Sequence, residues 1–102
     1  MFIQVGDLKL EIEHRLLYLD GSDSVPLQIN PMEARLLATL MESPGQVVSR
    51  AYLMRTVWQT DYLDDTRTLD EHICWLRRKV EDDPAHPCRI ITHRNQGYQL
   101  RI

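Results

Sequence analysis

The 102-residue chain has no apolar run near the length that crosses a bilayer, and only two cysteines, Cys74 and Cys88. A disulfide scaffold is therefore excluded, and reduced thiols are expected. Aromatics are scarce at 7%. Residues Met1 to Leu10 lack the basic and apolar regions of a signal peptide, so the expected location is cytoplasmic. There is no internal repeat, low-complexity tract or linker. Nor is there an excess of positive charge: the formal net charge is −3, a mild argument against partners that carry phosphate.

The distribution of charge softens that argument. Asp7, Glu11, Glu13, Asp20 and Asp23 stand against Lys9 and Arg15 in the first thirty residues. Residues 89–102 carry Arg89, Arg94 and Arg101 and no acid. Local field, more than net charge, governs binding.

What is present reads as one domain over 1–102. Leu8, Leu10 and Ile12 alternate with polar residues, the period of a half-buried strand. Leu16 to Leu19, a turn at Gly21, and Leu27 with Ile29 extend this to an antiparallel meander over 1–29. Helix one is expected at about 31–43. Asn30 caps it, Pro31 opens it, Glu33 completes a capping box, and Pro44 and Gly45 end it. Helix two is expected at about 50–58, capped by Ser49 with a Val48–Leu53 staple. Helix three is expected at about 66–82. Leu69, Ile73, Leu76 and Val80 form its buried stripe, with Arg67, Glu71, Cys74 and Arg78 opposite and Thr68 and Trp75 beside them. Glu81-Asp82-Asp83 reads as a solvated helix end. Arg89 to Arg94 and Tyr98 to Ile102 form a hairpin over 89–102, turned at Asn95-Gln96-Gly97, where Asn and Gly tolerate positive φ. The fold class is α+β. Helices two and three make a helix-turn-helix with a long turn, and the hairpin is a wing.

Catalytic and metal chemistry find no foothold. His72 and Cys74 point about 200° apart on a helix, and no C-x-x-C pair exists to add thiolate ligands. His86-x-Cys88 does not complete a set. There is no phosphate-cradling glycine loop and no nucleophile beside a base. No enzyme activity, metal or cofactor is expected.

Four segments, in order and spacing, resemble the winged-helix effector domain of OmpR/PhoB-type response regulators: Leu27–Leu37, Val48–Leu53 with Val57-Trp58, Asp65–Ile73 with Leu76–Lys79, and Ile90–Tyr98. The resemblance covers about Leu8 to Ile102. It implies sequence-specific binding of double-stranded promoter DNA by a homodimer on direct repeats, as the output domain of a two-component system. Helix three would enter the major groove and the wing a neighbouring minor groove. The loop 59–64 would face RNA polymerase. The receiver domain that usually precedes such domains is not in this chain. The resemblance places Arg67, Thr68, Trp58, Thr92 and Tyr98 at phosphate-backbone contacts. It places Asp70, Glu71, Cys74 and Trp75 at groove-facing positions and Arg94 in the minor groove. Arg50 and Arg78 complete the DNA-binding set. Asn95 stands where the family usually has Gly. Two alternatives are a winged helix that binds protein, and the DNA-binding part of a longer regulator without a receiver.

Glu71 repels phosphate although it can accept from cytosine N4, and Trp75 brings apolar surface without charge. The expectation is weak binding by the single domain, little base reading by helix three, and reliance on the wing and on dimerisation. Titration with promoter DNA tests this: tight monomeric binding with several base-specific contacts from helix three would contradict it.

Overall fold

The computed structural model describes residues 1–19 and 25–101. The expected turn at Gly21 and the final residue Ile102 lie outside the described residues. Strands β1 (Phe2–Val5), β2 (Leu8–Glu11), β3 (Leu16–Tyr18) and β4 (Leu27–Gln28) form an antiparallel sheet in that order. Helix α1 (Pro31–Met41), strand β5 (Val47–Ser49), and helices α2 (Arg50–Val57) and α3 (Arg67–Val80) follow. Strands β6 (Ile90–His93) and β7 (Gly97–Leu100) close the chain, and the second sheet has the order β5-β7-β6. The fold is α+β, with a wing after the third helix.

The alternation read from the sequence places the faces. Leu10 pairs with Ile3 on one side and Leu17 on the other, so these three share the inner face of the first sheet. Leu10 and Leu17 are fully buried there against Leu36, Leu37 and Leu40 of the same core. Leu69, Ile73, Leu76 and Val80 of α3 are buried as the helical period required. Burial of each such side chain contributes about 1.5–3 kcal/mol. The Asn30–Glu33 capping box is formed in both directions, at 2.8 and 3.0 Å. Glu33 is buried as well, and its Oε1 accepts from Lys79 Nζ at 2.7 Å. One carboxylate thus fixes the start of α1 and the end of α3.

Several expected boundaries move. Helix one stops at Met41 and not 43, and helix two at Val57 with Trp58 as its cap. Helix three spans Arg67–Val80 where 66–82 was expected. Thr66 is its N-cap residue, and Glu81 has already turned to extended backbone. The strand expected to reach Ile12 ends at Glu11, and the wing strands are shorter than 89–94 and 98–102. Strand β1 lies inside the meander expected over 1–29, where it was not singled out, and β5 was not expected. β1 carries a short alternation in Ile3 and Val5. β5 has only three residues and exists because β7 offers it an edge.

Glu81 is also a correction. Its carboxylate is buried, and it accepts backbone N–H bonds from Cys88, Arg89 and Ile90, all at 2.9–3.0 Å. The side chain read as a solvated helix end anchors the first strand of the wing. A charged acceptor shared by several backbone donors is strong, and this one sets where β6 begins.

The three-stranded wing depends on Gly97, which pairs with Ser49 of β5 and His93 of β6. A Cβ there would lie 1.9 Å from the Val48 carbonyl oxygen, which is backbone and cannot rotate away. Gly97→Ala should therefore cost about 1–3 kcal/mol of stability, read as a lower urea midpoint. An unchanged midpoint would show that the β5–β7 approach is looser than described.

Candidate nucleic-acid interface

The local sequence builds the interface from the start of α2. Ser49 Oγ caps that helix by accepting from Tyr52 N at 3.1 Å. This places Arg50 at the first helical position, within reach of α3. Its guanidinium is bidentate on Asp70, with Nη1 to Oδ1 at 2.9 Å and Nη2 to Oδ2 at 3.0 Å. Nη2 also donates to Thr66 Oγ1 at 2.6 Å, which occupies the hydroxyl that would otherwise cap α3. From the wing, Tyr98 Oη donates to Asp70 Oδ1 at 2.6 Å. Arg50 and Arg77 sit over the Tyr98 ring, at 5.9 and 5.7 Å from its centroid.

The electrostatics follow the geometry. Partial burial pushes the Asp70 carboxyl up, but the bonds from Arg50 and then Tyr98 outweigh it and hold the group below the usual carboxylate value. Burial, and then the bond to Asp70 with its negative charge, push the Tyr98 phenol up, so it stays a donor. Arg50, Asp70 and Tyr98, expected at DNA contacts, thus face one another. Asp70 is not free on the groove-facing surface.

The outer face of α3 carries the other candidates. Arg67, Glu71, Cys74 and Arg78 are exposed, and Thr68 is half-buried. Arg67 folds back on Asp65, with Nη2 to Oδ2 at 2.7 Å. The Arg67 side-chain bonds, and then its backbone N–H, hold Asp65 down to about 2. Trp75 is 42% exposed and lies on the flank away from the wing. Beneath it is His72, with ring centroids 4.8 Å apart, and beyond that Trp58, whose ring meets His72 edge-on at 5.1 Å.

In the wing, Asn95 has φ +63°, the left-handed conformation the turn requires and one that Asn tolerates. Gln96 N donates to His93 O at 2.9 Å and closes the turn. Arg94 projects from it, exposed and without a hydrogen-bond partner among the described residues. Thr92 is exposed, and its Oγ1 accepts from Arg77 Nη2 at 2.7 Å. Arg77 also donates to the Ile90 carbonyl at 2.9 Å. The sequence did not single out Arg77 or assign His72 a part in the site. Adjacent basic residues at 77–79 gave no sign of which would turn toward the wing. In the loop between α2 and α3, Tyr62 is exposed and Asp61 pairs with Arg55 at 3.1 Å.

The family described as "Transcriptional regulatory protein, C terminal" matches residues 24–100. The chain is 37% identical over 98 residues to the sensory transduction protein RegX3 of Mycolicibacterium smegmatis, covering 96% of this chain and 42% of that protein. The chain thus spans about two-fifths of the length of such relatives. Among solved structures it is similar to the Klebsiella pneumoniae RstA DNA-binding domain in complex with the RstA box. The TM-score is 0.83 at 27% identity, covering 98% of this chain and 96% of that one. It is also similar to the Thermotoga maritima response regulator DrrB, an OmpR/PhoB homologue. There the TM-score is 0.81 at 30% identity, covering 98% of this chain and 44% of that one.

The lock at Asp70 has a pH signature. Its folded pKa is depressed, so its contribution is present above the unfolded carboxyl value, about 3.9, and is lost as pH falls through the folded one. Asp70→Asn should cost about 1 kcal/mol at pH 7, a figure discounted for the half-exposed pair. The gap between variant and wild type should close in urea titrations below about pH 4. A gap that persists there would mean Asp70 acts by packing and not by charge.

Proposed function

Because the chain belongs to the family of transcriptional regulatory protein C-terminal domains, of OmpR/PhoB type, we propose that it binds promoter DNA as the output domain of a two-component regulator. The observation that carries this reading is the pairing of α3 with a basic wing. Arg50, Asp70 and Tyr98 lock the two together, and three exposed cations, Arg67, Arg78 and Arg94, project around the lock. The DNA-bound RstA neighbour supports the same use of this fold.

Each residue takes a physical role. Arg67, at the start of α3, exchanges Asp65 for a phosphate, with Thr68 beside it; helix N-termini favour anions. Arg78 neutralises phosphate further along the same face. Arg94 enters a narrow, A·T-rich minor groove, where the potential attracts cations. Thr92 and Trp58 contact the backbone at the edges. Arg50, Asp70 and Tyr98 position the reading elements and make little contact of their own. Glu71 and Cys74 face the groove without adding positive charge, so the single domain binds weakly and gains affinity as a homodimer on repeated half-sites. The loop 59–64, with exposed Tyr62, meets RNA polymerase. The remaining three-fifths of a RegX3-sized protein would hold the receiver. The work is done in the cytoplasm, by binding and without catalysis.

Salt separates this from a protein-binding winged helix, because phosphate contacts release counterions and apolar contacts do not. The observed affinity for promoter DNA should fall steeply with salt, and Arg67→Ala should reduce the log–log slope by about 1. Arg94→Ala should instead lower the preference for A·T-rich flanks. Affinity for DNA that is flat in salt would sink the proposal.

A further inference from the structure

Trp58, at the end of α2, packs against the core, but the aromatic stack it begins runs on over α3 to a ring the core does not account for. Trp75 leaves 42% of its surface in solvent, yet it is not loose. The His72 ring supports it at 4.8 Å with a 54° tilt. His72 is held in turn: its Nδ1–H donates to the Thr68 carbonyl at 2.7 Å, since only the nitrogen can donate in that pair. Behind it the Trp58 ring closes edge-on at 79°. Three rings thus run from the end of α2 to the open flank of α3, and the last presents a rigid apolar plate beside Glu71 and Arg78.

Around Trp75 the groove-facing positions Asp70, Glu71 and Cys74 offer little to a base, and exposed Arg78 one turn on is assigned to phosphate. Asp70 is occupied by Arg50 and Tyr98, Glu71 carries a charge that phosphate repels, and Cys74 is a weak donor. What remains is apolar contact. The major groove displays one apolar group on its base edges, the C5-methyl of thymine. We infer that Trp75 is the specificity-determining residue of α3, reading a thymine methyl, and that His72 is its positioning residue. This rests on the DNA-binding reading above.

A uracil-for-thymine exchange removes that methyl and nothing else, and it leaves the protein intact. Duplexes recovered by the chain from a randomised pool are resynthesised with single thymines replaced by uracil. At one position the exchange should weaken wild-type binding about fourfold, the effect of withdrawing one methyl from contact. Trp75→Ala should bind the thymine and uracil duplexes equally. His72→Ala should shrink the ratio between them, and His72→Phe, which keeps a ring under Trp75, should restore it. A merely structural role for His72 would lower both affinities and leave their ratio alone. Selected duplexes that show no uracil effect, or the same effect in Trp75→Ala, overturn the inference while leaving DNA binding in place. A pool from which nothing is recovered overturns the DNA-binding reading, and this one with it.

Discussion

The Asp70 carboxylate is the point on which the geometry of the site depends. It is the meeting place of three elements that are distant in sequence: α2 through Arg50, α3 through its own backbone, and the wing through Tyr98. A helix and a hairpin joined by a loop can adopt many relative angles. Here the bidentate pair and the phenol bond select one, because planar guanidinium and carboxylate groups tolerate little rotation. The wing and the outer face of α3 are thereby held at one relative angle. That rigidity matters for a ligand such as a DNA duplex, whose grooves have a fixed spacing.

Two further polar devices complete the frame. Glu81 gathers three backbone N–H groups at the base of the wing, and Glu33 joins the α1 cap to Lys79 of α3. All three carboxylates are acids in a chain whose net charge argued mildly against binding nucleic acid. Their charges are paired within the protein, those of Glu33 and Glu81 buried and that of Asp70 half-exposed, on guanidinium, ammonium or backbone donors. The net count therefore overstates the repulsion a phosphate would meet at the wing. Exposed Arg94 and Arg78, and Arg67 once released from Asp65, decide the local field.

The sheet arrangement has a similar logic. Gly97 lets the backbone of β7 approach β5 closely enough to pair, and Val48 and Tyr98 then become cross-strand partners. That pairing carries Tyr98 toward Asp70. A single missing side chain in the hairpin thus reaches the site through strand register.

The periodicity of Leu69, Ile73, Leu76 and Val80, the Asn30–Glu33 box and the Ser49 cap were legible in the sequence, because each rests on neighbours within a few positions. So was the exposure of Arg67, Glu71, Cys74 and Arg78, which follows from the helical period once the buried stripe is known. Asn95 at positive φ was legible for the same local reason. Strand β5 was not, being too short to show a period. Nor was the fate of Asp70, Arg77 or Glu81. Whether a charged side chain faces water or another chain segment depends on partners 7 to 28 positions away, and no local pattern encodes that separation. The sequence by itself determined the local elements and the set of polar and charged residues that α3 and the wing carry. Only the tertiary structure decided which of them are turned inward to hold the frame and which are left free to meet a partner.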